Sequence, residues 1–200
     1  QRLLVKRTID LLGGGIGLLC AAPLMILIAV GIKLTSPGPI IFRQERFGLN
    51  KRRFSMYKFR TMVAGAELLQ SDLEERNEAT GPVFKIRDDP RVTRLGRLLR
   101  RTSLDELPQL FNVMRGDMSL VGPRPLPVRD VHRFSESWLM RRFSVPPGIT
   151  GLWQVMGRSD VGFDRWVALD LEYIDGWSLA LDLRILAMTL PAVIRGRGAA

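Results

Sequence analysis

The stretch Leu11 to Ile32, LLGGGIGLLCAAPLMILIAVGI, carries no charge between Asp10 and Lys33 and has roughly the 20 residues a helix needs to cross a bilayer. Its reading decides the architecture. Pro23 stands near its middle, after Cys20-Ala21-Ala22, and a proline inside a helix removes one backbone hydrogen bond and clashes with the turn before it. Each half, about 18 Å of helix, is too short for a hydrocarbon core of about 30 Å. Arg2, Lys6 and Arg7 precede the stretch while Lys33, Arg43 and Arg46 follow it, so the positive-inside bias keeps both ends on the cytoplasmic side. The expectation is a re-entrant helical hairpin over residues 1–34 with its break at Ala22-Pro23, followed by one integrated unit over 35–200. A kinked single span and a buried core helix compete with it. A signal peptide fits poorly, because the apolar run continues well past the small residues.

The remaining composition narrows the chemistry. The 200 residues, 46% apolar and 25% charged, suffice for one domain with a real core and match neither a disordered chain nor a multi-span membrane protein. Cys20 and His132 are the only cysteine and histidine, which excludes an intramolecular disulfide and a Cys/His zinc cluster and leaves oxygen ligands for any metal. The net charge is +10, and 25 of the 30 basic residues are arginine, the side chain that grips phosphate with a planar fork. A phosphate-bearing partner is therefore expected, whether lipid, nucleotide or nucleic acid.

After Lys33, Thr35-Ser36-Pro37-Gly38-Pro39 is turn chemistry, and Ile40-Ile41-Phe42 suits a short strand. Arg43 to Arg60 holds seven basic residues against Glu45 alone, as an anionic membrane surface or a phosphorylated ligand would require. Ala64 to Thr80 is acidic with leucines at helical spacing, a solvated helix. Arg91, Arg94, Arg97, Arg100 and Arg101 mark a basic amphipathic helix. Trp177 to Ile194 reads as an interfacial or core-packed helix. The whole is mostly α with a few short strands, its amphipathic helices lying in the membrane interface around a core on the cytoplasmic side.

Three segments could carry chemistry. Ser103-Leu104-Asp105-Glu106 fits a capping box, yet it also sets two adjacent carboxylates beside a helix N-terminus, where an ionised Asp can attack phosphorus and its neighbour can hold Mg²⁺. Gly122-Pro123-Arg124-Pro125 holds one arginine between two prolines. That is a rigid turn or a pre-positioned phosphate ligand. Pro147 to Arg158 is a glycine-rich loop with a donor at Gln154.

Taken with Lys6-Arg7-Thr8-Ile9-Asp10 and Tyr57-Lys58-Phe59-Arg60-Thr61-Met62, these segments resemble the bacterial sugar transferase family, the monotopic polyprenyl-phosphate phosphoglycosyl transferases, over nearly the whole chain. The similarity is greatest to the catalytic portion of the larger members that initiate exopolysaccharide or O-antigen synthesis, which leaves open that the chain is a truncation of one. The resemblance implies a two-step reaction at the cytoplasmic face of the bacterial inner membrane. Asp105 attacks the β-phosphorus of a UDP-sugar, UMP leaves, and undecaprenyl phosphate takes the sugar phosphate from the enzyme. Glu106 binds Mg²⁺, and Lys58, Arg60, Arg100 and Arg124 contact phosphate, with Pro123, Gln154 and Arg158 in the binding loops. Smaller members often have Ser-Pro where this chain has Ala22-Pro23. The rival class, a basic membrane-anchored scaffolding module without catalysis, explains the charge but not the Asp-Glu pair. No nucleic-acid-binding signature is visible, and neither the sugar nor a homo-oligomeric state can be read.

Overall fold

In a computed structural model that describes residues 1–78, 81–84, 86, 88–134, 137–157 and 161–195, the apolar stretch forms a single helix, α1 (Arg2–Thr35), with Pro23 inside it. The hairpin expected to break at Ala22-Pro23 is not formed. One missing hydrogen bond does not sever a long helix whose neighbouring bonds hold on both sides. At about 1.5 Å per residue α1 is roughly 51 Å long. Lys6, Asp10, Gly14, Ile28 and Ile32 are buried, and Gly17, Ala21 and Met25 between them are half-buried. Steps of three and four residues make these one continuous stripe, so α1 lies along the rest of the protein instead of standing away from it. The opposite face exposes Leu4, Leu12, Ile16, Leu19, Leu27 and Leu34. This is the one described helix long and apolar enough to cross a membrane.

The charges ahead of the apolar run serve a purpose their sequence position conceals. Lys6 Nζ lies 2.6 Å from Asp182 Oδ2 and donates to the Val121 carbonyl at 3.1 Å. Asp10 Oδ1 accepts from the Ser119 hydroxyl and the Leu120 amide, both at 2.9 Å. Arg7 donates to the carbonyls of Val113 and Met114 at 2.7 and 2.9 Å. Lys6 and Arg7 are thus interior fasteners, where the flanking-charge argument treats them as topology signals.

Beyond α1, β1 (Ile41–Phe47) and β2 (Arg53–Phe59) pair antiparallel, with Phe42 opposite Lys58 and Arg43 opposite Tyr57. The predicted short strand is therefore longer, and its basic residues divide between two faces by the two-residue period of a strand. The acidic segment after Ala64 is turns and a 3₁₀ stretch at Ser71–Arg76 instead of the expected α-helix. Leu68 there is exposed, so no buried apolar stripe supports a helix. The basic helix α2 (Arg94–Arg101) begins after Thr93, whose hydroxyl accepts from the Gly96 amide at 2.9 Å. Arg91 precedes it, in a buried ion pair with Asp89 at 2.5 Å. Leu99 of α2 joins Ile28, Ile32 and Phe59 in one apolar cluster.

A 3₁₀ turn at Leu104–Glu106 leads into α3 (Gln109–Arg115). β3 (Ser119–Val121) runs parallel to β4 (Gly148–Thr150), with the short α4 (Val128–Val131) between them. α5 (Leu152–Met156), α6 (Phe163–Asp175) and α7 (Leu179–Arg195) complete the fold. Leu169, Tyr173 and Ile185 from the last two helices bury Val121 and Leu152. A third cluster packs Leu139 and Phe143 against Phe47, Trp166 and Val167.

Candidate active site

The predicted capping box is not made. Ser103 has φ 56° and ψ 16° and its side chain caps nothing, so the backbone turns through a left-handed residue. Ordinary L-residues rarely adopt that conformation. The turn delivers Asp105 and Glu106 into a cleft of about 900 Å³. Lys58, Arg60, Arg100, Arg124 and Gln154 line the same cleft, so five of the binding residues expected from sequence meet the carboxylate pair. Pro123 lies just behind it, its carbonyl accepting from the Gly148 amide at 2.9 Å. Arg158 falls outside the described residues. Ala22 and Pro23 are on the exposed face of α1.

The two carboxylates differ sharply in their surroundings. Glu106 Oε1 accepts from Lys58 Nζ at 2.6 Å and from Arg124 Nη2 at 2.7 Å. Burial alone would raise the Glu106 carboxyl, but Arg124 and Lys58 outweigh it and hold the group far below the usual carboxylate range. Asp105 is buried and accepts no hydrogen bond among the described residues, with Lys58 Nζ 4.0 Å away. Burial, assisted by the charge on Glu106, pushes its carboxyl up. One carboxylate is thus locked into a cationic clamp while its neighbour is unengaged and more basic.

The surrounding cations are held individually. Arg100 Nε donates to the Thr61 hydroxyl at 3.0 Å. Burial lowers its guanidinium, with Asp105 acting the other way. Arg60 spends its guanidinium on the carbonyls of Ser36 and Pro37 and the Ser36 hydroxyl, clamping the end of α1 to β2. Its place on the cleft wall is accordingly that of a brace.

The loop that presents Arg124 is fixed carbonyl by carbonyl. Val121 O accepts from Lys6 and Tyr173, Arg124 O from Arg142 at 3.0 Å, Pro125 O from Arg46 at 2.8 Å, and Leu126 O from the Phe47 amide at 3.2 Å. Gly122 lets this loop touch the next one, since a Cβ there would fall 2.4 Å from the Pro146 carbonyl oxygen. The support that Arg46, Arg142 and Lys6 give this loop escapes sequence reasoning because each acts through a backbone carbonyl, which leaves no spacing signal. Gln154 turns its expected donor, Nε2, to the Ile149 carbonyl at 3.4 Å, and its buried Oε1 has no hydrogen-bond partner among the described residues.

The same donors bear on a metal. Among the described residues no three His, Cys, Asp or Glu side chains converge, so the chain offers no complete cage. Asp105 and Glu106 supply hard oxygens, and Glu106 Oε2 takes no hydrogen bond among the described residues. This donor set fits Mg²⁺, which keeps waters and binds one or two carboxylates together with substrate phosphates.

The sequence matches the bacterial sugar transferase family over residues 1–196. It is 46% identical over 200 residues to the galactosyl transferase CpsE of Streptococcus agalactiae, covering all of this chain and 44% of that protein. The exopolysaccharide production protein ExoY of Rhizobium meliloti is 42% identical, with 98% of this chain matching 88% of it. The undecaprenyl-phosphate galactose phosphotransferase of Salmonella typhimurium is 44% identical over 98% of this chain and 41% of its own length. The chain thus spans less than half of CpsE and of the Salmonella relative, and most of ExoY.

Proposed function

The chain belongs to the bacterial sugar transferase family, and from that premise we propose that it moves a sugar 1-phosphate from a UDP-sugar to undecaprenyl phosphate through an aspartyl intermediate. The observation that carries this reading is the division of labour in the carboxylate pair: Glu106 takes both Lys58 and Arg124, while Asp105 stays free of hydrogen bonds among the described residues. Relatives named as undecaprenyl-phosphate galactose and glucose phosphotransferases support the acceptor.

In the first step a carboxylate oxygen of Asp105 bonds to the β-phosphorus. The bond from that phosphorus to the bridging oxygen breaks, and UMP leaves with the electron pair. In the second, an oxygen of undecaprenyl phosphate attacks the same phosphorus and expels the Asp105 carboxylate. An anion attacking an anionic diphosphate needs fixed positive charge close by. Arg124, Lys58 and Arg100 provide it, and Glu106 keeps the first two aligned. Mg²⁺ held by Glu106 and the donor phosphates would add Lewis-acid neutralisation of the diphosphate.

For the setting, we propose attachment to the cytoplasmic face of the inner membrane through the exposed apolar face of α1. Both ends of α1 pack on the same body, which supports a helix held against one face of the bilayer without crossing it. Product analysis tests the chemistry. Release of UMP from a UDP-sugar, lost in Asp105→Asn together with the trapped phosphosugar adduct, is expected; release of UDP, or full turnover by Asp105→Asn, overturns the reading.

A further inference from the structure

The β1–β2 hairpin has two faces and the catalytic cleft uses one of them. Phe42, Gln44, Arg46 and Lys58 line the cleft, whereas Ile41, Arg43 and Tyr57 line a separate groove of about 460 Å³ with Pro108, Phe111, Met114 and Arg115. The floor of this groove is apolar and left open to the outside: Phe111 is 49% and Met114 37% exposed. Its rim is cationic. The guanidinium carbons of Arg43 and Arg115 lie 5.7 and 6.0 Å from the centre of the Tyr57 ring, so two positive charges converge on one aromatic. Arg43 has no carboxylate partner among the described residues, and Arg115, which donates to the Tyr57 hydroxyl at 2.8 Å, has Asp117 as its one carboxylate among them, at 3.4 Å.

The groove is built and stays open. Asn112, wholly buried, accepts from the Tyr57 amide at 3.0 Å and donates to the Ser55 carbonyl at 2.8 Å, which fixes α3 to β2 and sets the distance between the walls. Met114 also faces α1, where a Cβ at Gly14 or Gly15 would fall 3.3 or 3.9 Å from its side chain, so the apolar floor continues toward the helix whose outer face is apolar. A ligand with a negative head and a hydrocarbon tail matches this layout: the head at the two arginines, the tail along Ile41, Phe111 and Met114.

We propose that this groove binds one anionic glycerophospholipid of the surrounding bilayer, its phosphate on Arg43 and Arg115. The inference rests on the membrane attachment of α1 argued above. It assigns no part of the reaction to the groove, which the hairpin separates from Asp105.

The full chain, extracted from membranes and examined by native mass spectrometry, provides the test, alongside sedimentation with vesicles of phosphatidylcholine alone or mixed with phosphatidylglycerol. Wild type should retain phosphatidylglycerol over phosphatidylcholine. Arg43→Gln/Arg115→Gln should lower that retention at least about tenfold, the scale expected for two interfacial arginines, while still sedimenting with vesicles and releasing UMP. Arg43→Lys/Arg115→Lys should keep part of the preference. Equal retention by wild type and the glutamine variant, or no preference between the two lipids, overturns the proposal. So does retention of inorganic phosphate alone, or displacement of phosphatidylglycerol by undecaprenyl phosphate, which would make the groove an acceptor site. A chain that fails to sediment with either vesicle instead overturns the membrane reading on which the proposal rests.

Discussion

The guanidinium of buried Arg142 donates to the backbone carbonyl of Arg124 at 3.0 Å while Asp170 Oδ2 holds the same Nη2 nitrogen at 2.5 Å. The two arginines are joined a second way. Arg124 sits 5.9 Å from the Trp153 ring, Trp153 stacks on Trp166 at 4.4 Å, and Arg142 lies 5.4 Å from Trp166. The cation facing the carboxylate pair is therefore tied to a deep ion pair whose side chains are 1% and 2% exposed.

That link is separable by mutation. Asp170→Asn strands a buried guanidinium and should cost about 3–5 kcal/mol in denaturant unfolding. Arg142→Met/Asp170→Leu, which replaces the pair by apolar bulk, should recover most of that stability. The double variant still lacks the donor to the Arg124 carbonyl, so UMP release should stay roughly 10- to 100-fold low in kcat/KM. Full activity in the stable double variant would show that Arg142 merely fills the core.

The acid limb of the pH profile should report Asp105. Its carboxyl is raised by burial and by Glu106, and the attacking form is the anion, so kcat/KM falls as pH drops through a value above the ordinary carboxylate range. Lys58, Arg100 and Arg124 act the other way. Arg100→Gln should accordingly move the limb to higher pH and Glu106→Gln to lower pH. Rates of UMP release measured across pH for both variants check the signs, and a shift in the same direction in both refutes the assignment.

How much of this was legible in the sequence follows from where each interaction is encoded. Asp105, Glu106 and Arg124 could be picked out because their chemistry lies in their own side chains and they sit in compact segments, whereas Lys58 came only with the family resemblance. The helical character of the chain and its apolar first helix followed from periodicity and length. The unbroken course through Pro23 did not, because a local rule for a proline says nothing of the stripe from Lys6 to Ile32 that packs α1 on its body. Nor could the capping box at Ser103 be excluded, since a Ser-x-x-Glu spacing carries no mark of the left-handed backbone that the residue adopts. Arg46, Lys6 and Arg142 are bound to partners 79, 176 and 28 residues away, a range at which spacing carries no signal.

Glycines allow a sharper contrast. A Cβ at Gly122 would lie 2.4 Å from the Pro146 carbonyl oxygen and 2.9 Å from the Gly148 amide nitrogen, both backbone atoms that cannot step aside. Gly122→Ala should therefore part β3 from β4, costing about 1–3 kcal/mol, and displace Arg124. At Gly15 the nearest atom is Met114 Cε at 3.9 Å, and Gly15→Ala inside α1 should be neutral or stabilising by up to about 1 kcal/mol. Urea unfolding and UMP release on the two variants separate the cases, and comparable losses at both would contradict the close approach of the loops.

The disposition of α1 makes a topological prediction that the single Cys20 renders simple to test. Near the start of the helix Lys6 pairs with Asp182, and near its end Ile32 packs with Phe59 and Leu99, so both ends belong to one body, which the proposed attachment sets on one side of the bilayer. Leu4 and Leu34 are 72% and 80% exposed. In a Cys20→Ser background, Leu4→Cys and Leu34→Cys should react with a membrane-impermeant maleimide from the same side, in inverted vesicles and not in intact cells. The native Cys20, exposed among apolar neighbours midway along α1, should stay protected in vesicles and react after detergent is added. Labelling of Leu4→Cys and Leu34→Cys from opposite sides would require α1 to cross the bilayer and would overturn the one-sided attachment proposed above.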